Sequence, residues 1–185
     1  MSTHDERAFE RIAVEPIHSG RIITFADETY RYADGKTAKR EIVRTTGAAA
    51  IVPVDDEHVW LVRQPREAID DPDSLEVPAG RLDVEGEAPL ETAQRELAEE
   101  IGLRAERWTK LKSYRSSVGF ADEQVHLFLA EGLSEAPGEH DSGEDERIEI
   151  VRWPLADLDA AIDAAVDAKT LIGLLMLRER RRGGD

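Results

Sequence analysis

The chain has 185 residues, one large domain or a domain with an appendage, and can bury most of its unfolded surface without disulfides or structural zinc. Its 40 acidic residues against 24 Lys and Arg give a formal charge of -16, which excludes the all-over basic surface that grips a nucleic acid polymer. With no cysteine, thiolate metal sites and cysteine nucleophiles are out, and no apolar run approaches the ~20 residues of a membrane span, so no membrane partner is expected and a cytoplasmic protein is the default.

In chain order, residues 10 to 46 read as β structure. Arg11-Ile-Ala-Val-Glu-Pro, Arg21-Ile-Ile-Thr-Phe, Thr29-Tyr-Arg-Tyr and Ala38-Lys-Arg-Glu-Ile-Val-Arg are strand-like runs with turns at Ala26-Asp-Glu and Asp34-Gly35, which predicts a small antiparallel sheet. Gly47-Ala-Ala-Ala-Ile-Val-Pro-Val and Val59-Trp-Leu-Val-Arg-Gln flank a polar hairpin turn, and their near-continuous apolar character predicts strands buried on both faces. Leu75-Glu-Val-Pro-Ala-Gly80 reads as a short strand running into a glycine turn, followed by a polar loop over 81–88. Further strands are expected over 108–116, 124–130 and 148–153, with a long acidic loop over 135–143. Two helices close the chain, one starting after Pro154, taken as a first-turn proline, and running to about Val166, and one carrying Leu171, Leu174, Leu175 and Met176, whose terminal arginines suit a helix C-terminus electrostatically.

The acidity is uneven: residues 51 to 100 hold 15 acidic against 4 basic residues, whereas residues 1 to 50 hold 8 of each. Inside the acidic block, Pro89 to Gly102 has a helical pattern, with proline at its start and glycine placed for a left-handed cap. Ala93, Leu97 and Ile101 recur every four residues as an inward stripe. Glu96, Glu99 and Glu100 fall at i, i+3 and i+4 on another face, where like charges repel. Solvent or a hard cation would relieve that repulsion, and oxygen ligands alone suit Mg2+ or Mn2+. The residues themselves leave both readings open.

What precedes the helix narrows the choice. Gly80, Glu87, Arg95, Glu96, Leu97, Glu99, Glu100, Gly102 and Leu103 follow the signature of the Nudix hydrolase family, which the sequence here resembles, with one departure: six residues instead of five separate Gly80 from Glu87. Nine specified positions at roughly 5–10% usage each coincide by accident at a given start with odds on the order of 10⁻⁹, so acidic composition alone does not produce the match. The resemblance implies an α/β class fold, an α/β/α sandwich with a mixed sheet, joined to an N-terminal antiparallel β-sheet subdomain. It also implies hydrolysis of a nucleoside diphosphate linked to another moiety, with Mg2+ or Mn2+ as cofactor. Position by position, Glu96 and Glu100 become primary metal ligands, Glu99 a second-tier ligand and the Ala79 carbonyl a backbone ligand. Arg95 and Glu87 are expected to pair and orient the loop and helix.

The resemblance extends over most of residues 20 to 178 and points to the ADP-ribose pyrophosphatase branch. It rests on Lys39-Arg-Glu-Ile-Val, Val62-Arg-Gln-Pro-Arg66, Gly119-Phe-Ala-Asp-Glu123 and Lys169-Thr-Leu-Ile-Gly-Leu-Leu; Val118 stands where that branch usually has proline. It implies ADP-ribose as substrate, with AMP and ribose 5-phosphate as products. Glu123 would bind the terminal ribose and Phe120 would belong to the same pocket-forming segment; from the residues alone they could equally be a solvated acid and a packed aromatic. Arg63 and Arg66, at the end of an apolar strand, suit bidentate pairing with phosphates. The acidic loop ahead of the last strand would supply catalytic carboxylates: Glu144 as the general base and Glu146 as a further metal ligand, with either able to activate water. The branch further implies a homodimer exchanging residues 1 to 46 as an N-terminal β subdomain, with 47 to 185 as the Nudix domain. Arg40 and neighbouring cations would then serve the partner's anionic substrate.

Two other readings compete. One is hydrolysis of a different nucleoside diphosphate sugar, such as ADP-glucose or GDP-mannose; the other is a non-catalytic ADP-ribose sensor, which would be expected to have damaged metal ligands. The five histidines show no zinc spacing, and no Gly-x-Ser-x-Gly or phosphate-cradling glycine loop is present.

Overall fold

The structure is a computed structural model that describes residues 7–137 and 147–183. Glu144 and Glu146 lie outside the described residues. The chain divides into two units: the described residues up to Gly47 together with Arg115–Gln124, and Ala48–Tyr114 together with Val125 onward.

The first unit is a three-stranded antiparallel sheet, β1 (Phe9–Ser19), β2 (Thr24–Tyr32) and β3 (Thr37–Arg44), in that spatial order. The turn at Asp34–Gly35 forms as expected, with the Lys36 N–H on the Asp34 carboxylate at 3.0 Å. The turn expected at Ala26–Glu28 does not form. Those residues run through the middle of β2, with Ala26 and Glu28 buried. Alternation explains the error: Asp27 points to the other side, and Glu28 faces inward because Arg44 neutralises it. Segment 115–124 fastens to the end of β3 through Val43 N–H to Phe120 O at 2.8 Å and Thr45 N–H to the Asp122 carboxylate at 2.9 Å.

The second unit has a seven-stranded mixed sheet. Its strands are β4 (Ala48–Val54), β5 (His58–Arg66), β6 (Asp71–Glu76), β7 (Ala79–Arg81), β8 (Leu103–Arg115), β9 (Gln124–Glu135) and β10 (Glu149–Pro154). The order is β10-β5-β4-β9-β8, with β6 on β5 and β7 on β4; β4 and β9 run parallel. Burial on both faces of β4 and β5 is borne out, and alternation sorts their side chains into two cores. Ala49, Ile51, Val62, Phe128 and Ala130 pack against Ala93, Leu97 and Ile101 of α1 (Pro89–Ile101). Ala50, Val52, Val59, Leu61, Leu127 and Leu129 pack on the opposite side against α2 (Leu158–Ala164) and α3 (Ala168–Gly183). Helices thus cover both faces, giving the α/β/α sandwich.

Helix α1 keeps its expected bounds. Glu91 accepts the Ala88 N–H at 2.8 Å near the start, and Gly102 ends the helix at φ 71°. Pro154 instead finishes β10; a 3-10 turn follows, and α2 is shorter than the helix expected there. Among the described residues no helix is long and apolar enough to cross a membrane.

Candidate functional site

The buried stripe of α1 fixes the rotation of the helix and so brings its acidic face against β7. Glu100 is buried, and its Oε2 accepts the Ala79 N–H at 3.2 Å. Glu96 lies over the next residue. A Cβ built on Gly80 would fall 1.9 Å from both Cδ and Oε1 of Glu96, so any other side chain at position 80 displaces that carboxylate. Gly80 is therefore not the turn expected from the sequence. It is a strand residue opposite Ala49, and glycine is required for closeness of approach.

Arg95 organises the remaining acids. Its Nη1 donates to Glu96 Oε1 at 2.7 Å and Glu99 Oε2 at 2.8 Å, while Nε and Nη2 reach the two oxygens of Glu87 at 3.1 and 3.2 Å. The repulsion inherent in the helix face is thereby offset. Hydrogen bonds from Arg95, and then from the Thr92 hydroxyl, hold the Glu87 carboxyl below the usual carboxylate range. The extra loop residue ahead of Glu87 does not keep it from the pairing expected with Arg95.

Glu96 and Glu100 thus bracket Ala79 and Gly80, with oxygen donors only. Among the described residues, no three Asp, Glu or His side chains form a closed cage. This donor set suits a hard cation such as Mg2+, which takes one or two carboxylates and completes its shell with waters and substrate oxygens.

Both arginines expected to meet phosphates engage acids of β6. Arg63 Nη1 donates to the Asp73 carboxylate at 2.6 Å. Arg66 makes a bidentate pair with Glu76, Nε and Nη2 each 2.6 Å from one oxygen, so Nη1 is the edge not committed to that pair. Lys169 Nζ completes the arrangement, 2.6 Å from Glu76 and 3.0 Å from Asp167. Burial pushes the Glu76 carboxyl up, but Arg66 and Lys169 outweigh it and hold the group at about 2.

The other expected residues belong to the first unit. Phe120 is exposed, and Glu123 accepts the Ser116 N–H through its backbone carbonyl at 3.3 Å. Between them Asp122 is anchored by Arg44 Nη1 at 3.3 Å and by the Thr45 N–H, and Arg115 donates to its backbone carbonyl. Arg40 is exposed on β3 and donates to the Lys39 carbonyl. Sequence reading missed Glu76, Thr170 and Asp122. For Glu76 a signal existed: one acid between Leu75 and Val77 in an otherwise apolar run must be buried and paired.

The NUDIX domain family model matches residues 43–173. The ADP-ribose pyrophosphatase of Bacillus subtilis (strain 168) is 40% identical over 170 residues, covering 90% of this chain and 91% of that protein. The methanol dehydrogenase activator of Bacillus methanolicus is 36% identical over 170 residues, with the same two shares of 90% and 91%. A crystal structure of an ADP compounds hydrolase matches with a TM-score of 0.82 at 26% identity, covering 96% of each chain.

Proposed function

From the premise that this chain belongs to the NUDIX domain family, we propose that it hydrolyses the pyrophosphate of ADP-ribose to AMP and ribose 5-phosphate, using Mg2+ or Mn2+. The observation that carries the reading is the pair Glu96 and Glu100 bracketing Ala79 and Gly80. The similarity to a protein named for ADP-ribose selects the substrate.

A dianionic pyrophosphate repels nucleophiles; Glu96, Glu100 and the Ala79 carbonyl, with Glu99 and Glu146 in support, would hold a divalent cation, which would supply charge neutralisation and water activation there. The chain's own groups do the rest. Arg66 offers its uncommitted edge to a phosphate oxygen, and Arg63 a second charge. Glu144 or Glu146 takes the proton as water adds to phosphorus and the bridging P–O bond breaks. Arg95 bridges Glu96 and Glu99 through Nη1 and offsets their repulsion before a cation arrives. Glu123 and Phe120 bind the terminal ribose.

The enzyme is further proposed to be a cytoplasmic homodimer that exchanges its N-terminal sheet, with Arg40 facing the partner's substrate. Every residue of β1 is exposed, including Phe9, Val14 and Ile17, and apolar exposure on that scale suits burial against a second copy. Incubation of purified protein with ADP-ribose and Mg2+, followed by chromatography, should yield AMP and ribose 5-phosphate in equal amounts. Neither product appearing would sink the proposal. A panel including ADP-glucose and GDP-mannose, ranked by kcat/KM, should place ADP-ribose first.

A further inference from the structure

Strand pairing lapses between β6 and β7. Val77 and Pro78 belong to neither strand, yet Val77 is fully buried and its polar backbone must still be satisfied. Partners come from three directions. The Val77 N–H donates to Thr170 Oγ1 at 2.9 Å, the Pro78 carbonyl accepts the Ile51 N–H at 2.9 Å, and the Ala79 N–H donates to Glu100 at 3.2 Å. Two side chains, one from each side of the sheet, thus replace ladder bonds just where the backbone approaches the carboxylates of α1.

The Thr170 end of this arrangement is built for the purpose. Asp167 caps α3, its Oδ2 accepting the Thr170 N–H at 2.9 Å and the Thr170 hydroxyl at 2.7 Å. A hydroxyl has one hydrogen; with it directed to Asp167, a lone pair is left for Val77. Capping α3 requires neither that second bond nor Lys169, whose ammonium reaches Glu76 on the residue before Val77. Thr170 is fully buried and the Glu76 side chain is 2% exposed, so solvent cannot substitute for either contact. Glu76 in turn fixes the plane of the Arg66 guanidinium through its bidentate pair.

We propose that the first turn of α3 is a working part of the site: Thr170, through Val77, and Lys169, through Glu76, are positioning residues for the Ala79 backbone and the Arg66 guanidinium. The inference rests on the reading above, in which Ala79, Glu96 and Glu100 hold the cation and Arg66 meets a phosphate. Thr170 governs the cation and Lys169 the substrate, so the two effects separate. Neither residue touches substrate or cation itself.

The test uses the full chain. Mn2+ titration followed by electron paramagnetic resonance, without substrate, should show Thr170→Val binding the ion about tenfold more weakly than wild type, with Thr170→Ser restoring it. Lys169→Met should raise KM for ADP-ribose about tenfold while kcat stays within about threefold, because orientation of a binding group is what is lost. Lys169→Met also decides the matter should Thr170→Val not fold. Variants that melt earlier yet keep wild-type Mn2+ affinity and KM would overturn the proposal, reducing the turn to scaffold. A wild-type protein that neither binds Mn2+ nor cleaves ADP-ribose would overturn the underlying reading as well, a result distinct from an active wild type with unmoved variants.

Discussion

Glu28 in the first unit and Glu76 in the second solve the same problem with nearly the same parts. Each side chain is 2% exposed, each receives Nε and Nη2 of an arginine on its two oxygens, and each has a second cation, Arg11 at 3.3 Å or Lys169 at 2.6 Å. Arg44 hydrogen bonds hold Glu28 at about 2 against the opposing effect of burial, with Tyr30 and Arg11 adding to them. The difference is in the backbone. Glu28 is paired on both sides, opposite Arg40 in a ladder with no register shift and opposite Val14 in the regular stretch between two bulges of β1, so register already fixes its position. Glu76 is the last residue of β6, just before pairing lapses. There the ion cluster takes over the geometric work that hydrogen-bonded strands perform elsewhere, and disturbing it should move chemistry as well as stability.

The largest effect that separates the two regions is expected from glycine substitutions. Gly80→Ala puts a methyl where the Glu96 carboxylate sits. Displacing a ligand by an ångström or more should cost about 100-fold in ADP-ribose hydrolysis, with the circular dichroism spectrum unchanged. Gly35→Ala, in the β2–β3 turn at φ +82° with open space around it, should cost only about 1 kcal/mol of stability and leave Mn2+ affinity as it was. Hydrolysis by Gly80→Ala at the wild-type rate would show that Glu96 is not a ligand.

Next come the two carboxylates themselves. Glu76→Gln and Glu28→Gln each weaken buried, charge-assisted hydrogen bonds to cations that are themselves mostly part-exposed, which should cost about 1.5–3 kcal/mol in urea unfolding. Only Glu76→Gln should also raise KM for ADP-ribose, because it releases the Arg66 guanidinium. If Glu28→Gln raised KM equally, the distinction drawn from the backbone would fail.

Acid should expose both clusters together. Each carboxyl is lowered from its ordinary 4.5 to about 2 in the folded state. A group lowered in this way contributes stability that is complete above its unfolded value and is lost as pH falls through its folded one. The unfolding free energy should therefore decline from about pH 5 to about pH 2. Removing either carboxyl by the Gln substitutions should flatten that decline, measurable as a smaller difference in urea midpoint between pH 5 and pH 3.

How much of this was legible beforehand follows the range of the contacts involved. Helix α1 could be read almost to the residue, because proline, a four-residue apolar stripe and a capping glycine are local signals. The faces of β4 and β5 were legible because double-sided burial leaves an unbroken apolar run. Hidden were pairings that cross the sequence: Glu76 with Lys169 and Val77 with Thr170 each span 93 positions. Period and propensity carry no information at that distance. Gly80 illustrates a different limit, since a glycine needed for closeness and one needed for a turn look identical until the neighbour at Glu96 is known. The Ala26–Glu28 stretch failed because two consecutive acids read as solvated, whereas in a strand they point to opposite faces.

The smallest expected effect sharpens the comparison most, because it isolates the second cation of each cluster. Arg11 is 49% exposed at 3.3 Å from Glu28, whereas Lys169 is 14% exposed at 2.6 Å from Glu76 and also holds Asp167. Arg11→Met leaves Arg44 on both oxygens of Glu28 and removes a bond already weakened by solvent, so it should cost under about 1 kcal/mol. Lys169→Met removes a largely buried charged hydrogen bond and should cost about 2 kcal/mol. Raising salt from 0.05 to 0.5 M, values chosen as roughly bracketing the range over which exposed pairs are screened, should erase most of the Arg11 effect and little of the Lys169 effect. Equal costs with equal salt dependence would mean that burial does not distinguish the clusters, and the special standing of the β6–β7 junction would then rest on Thr170 alone.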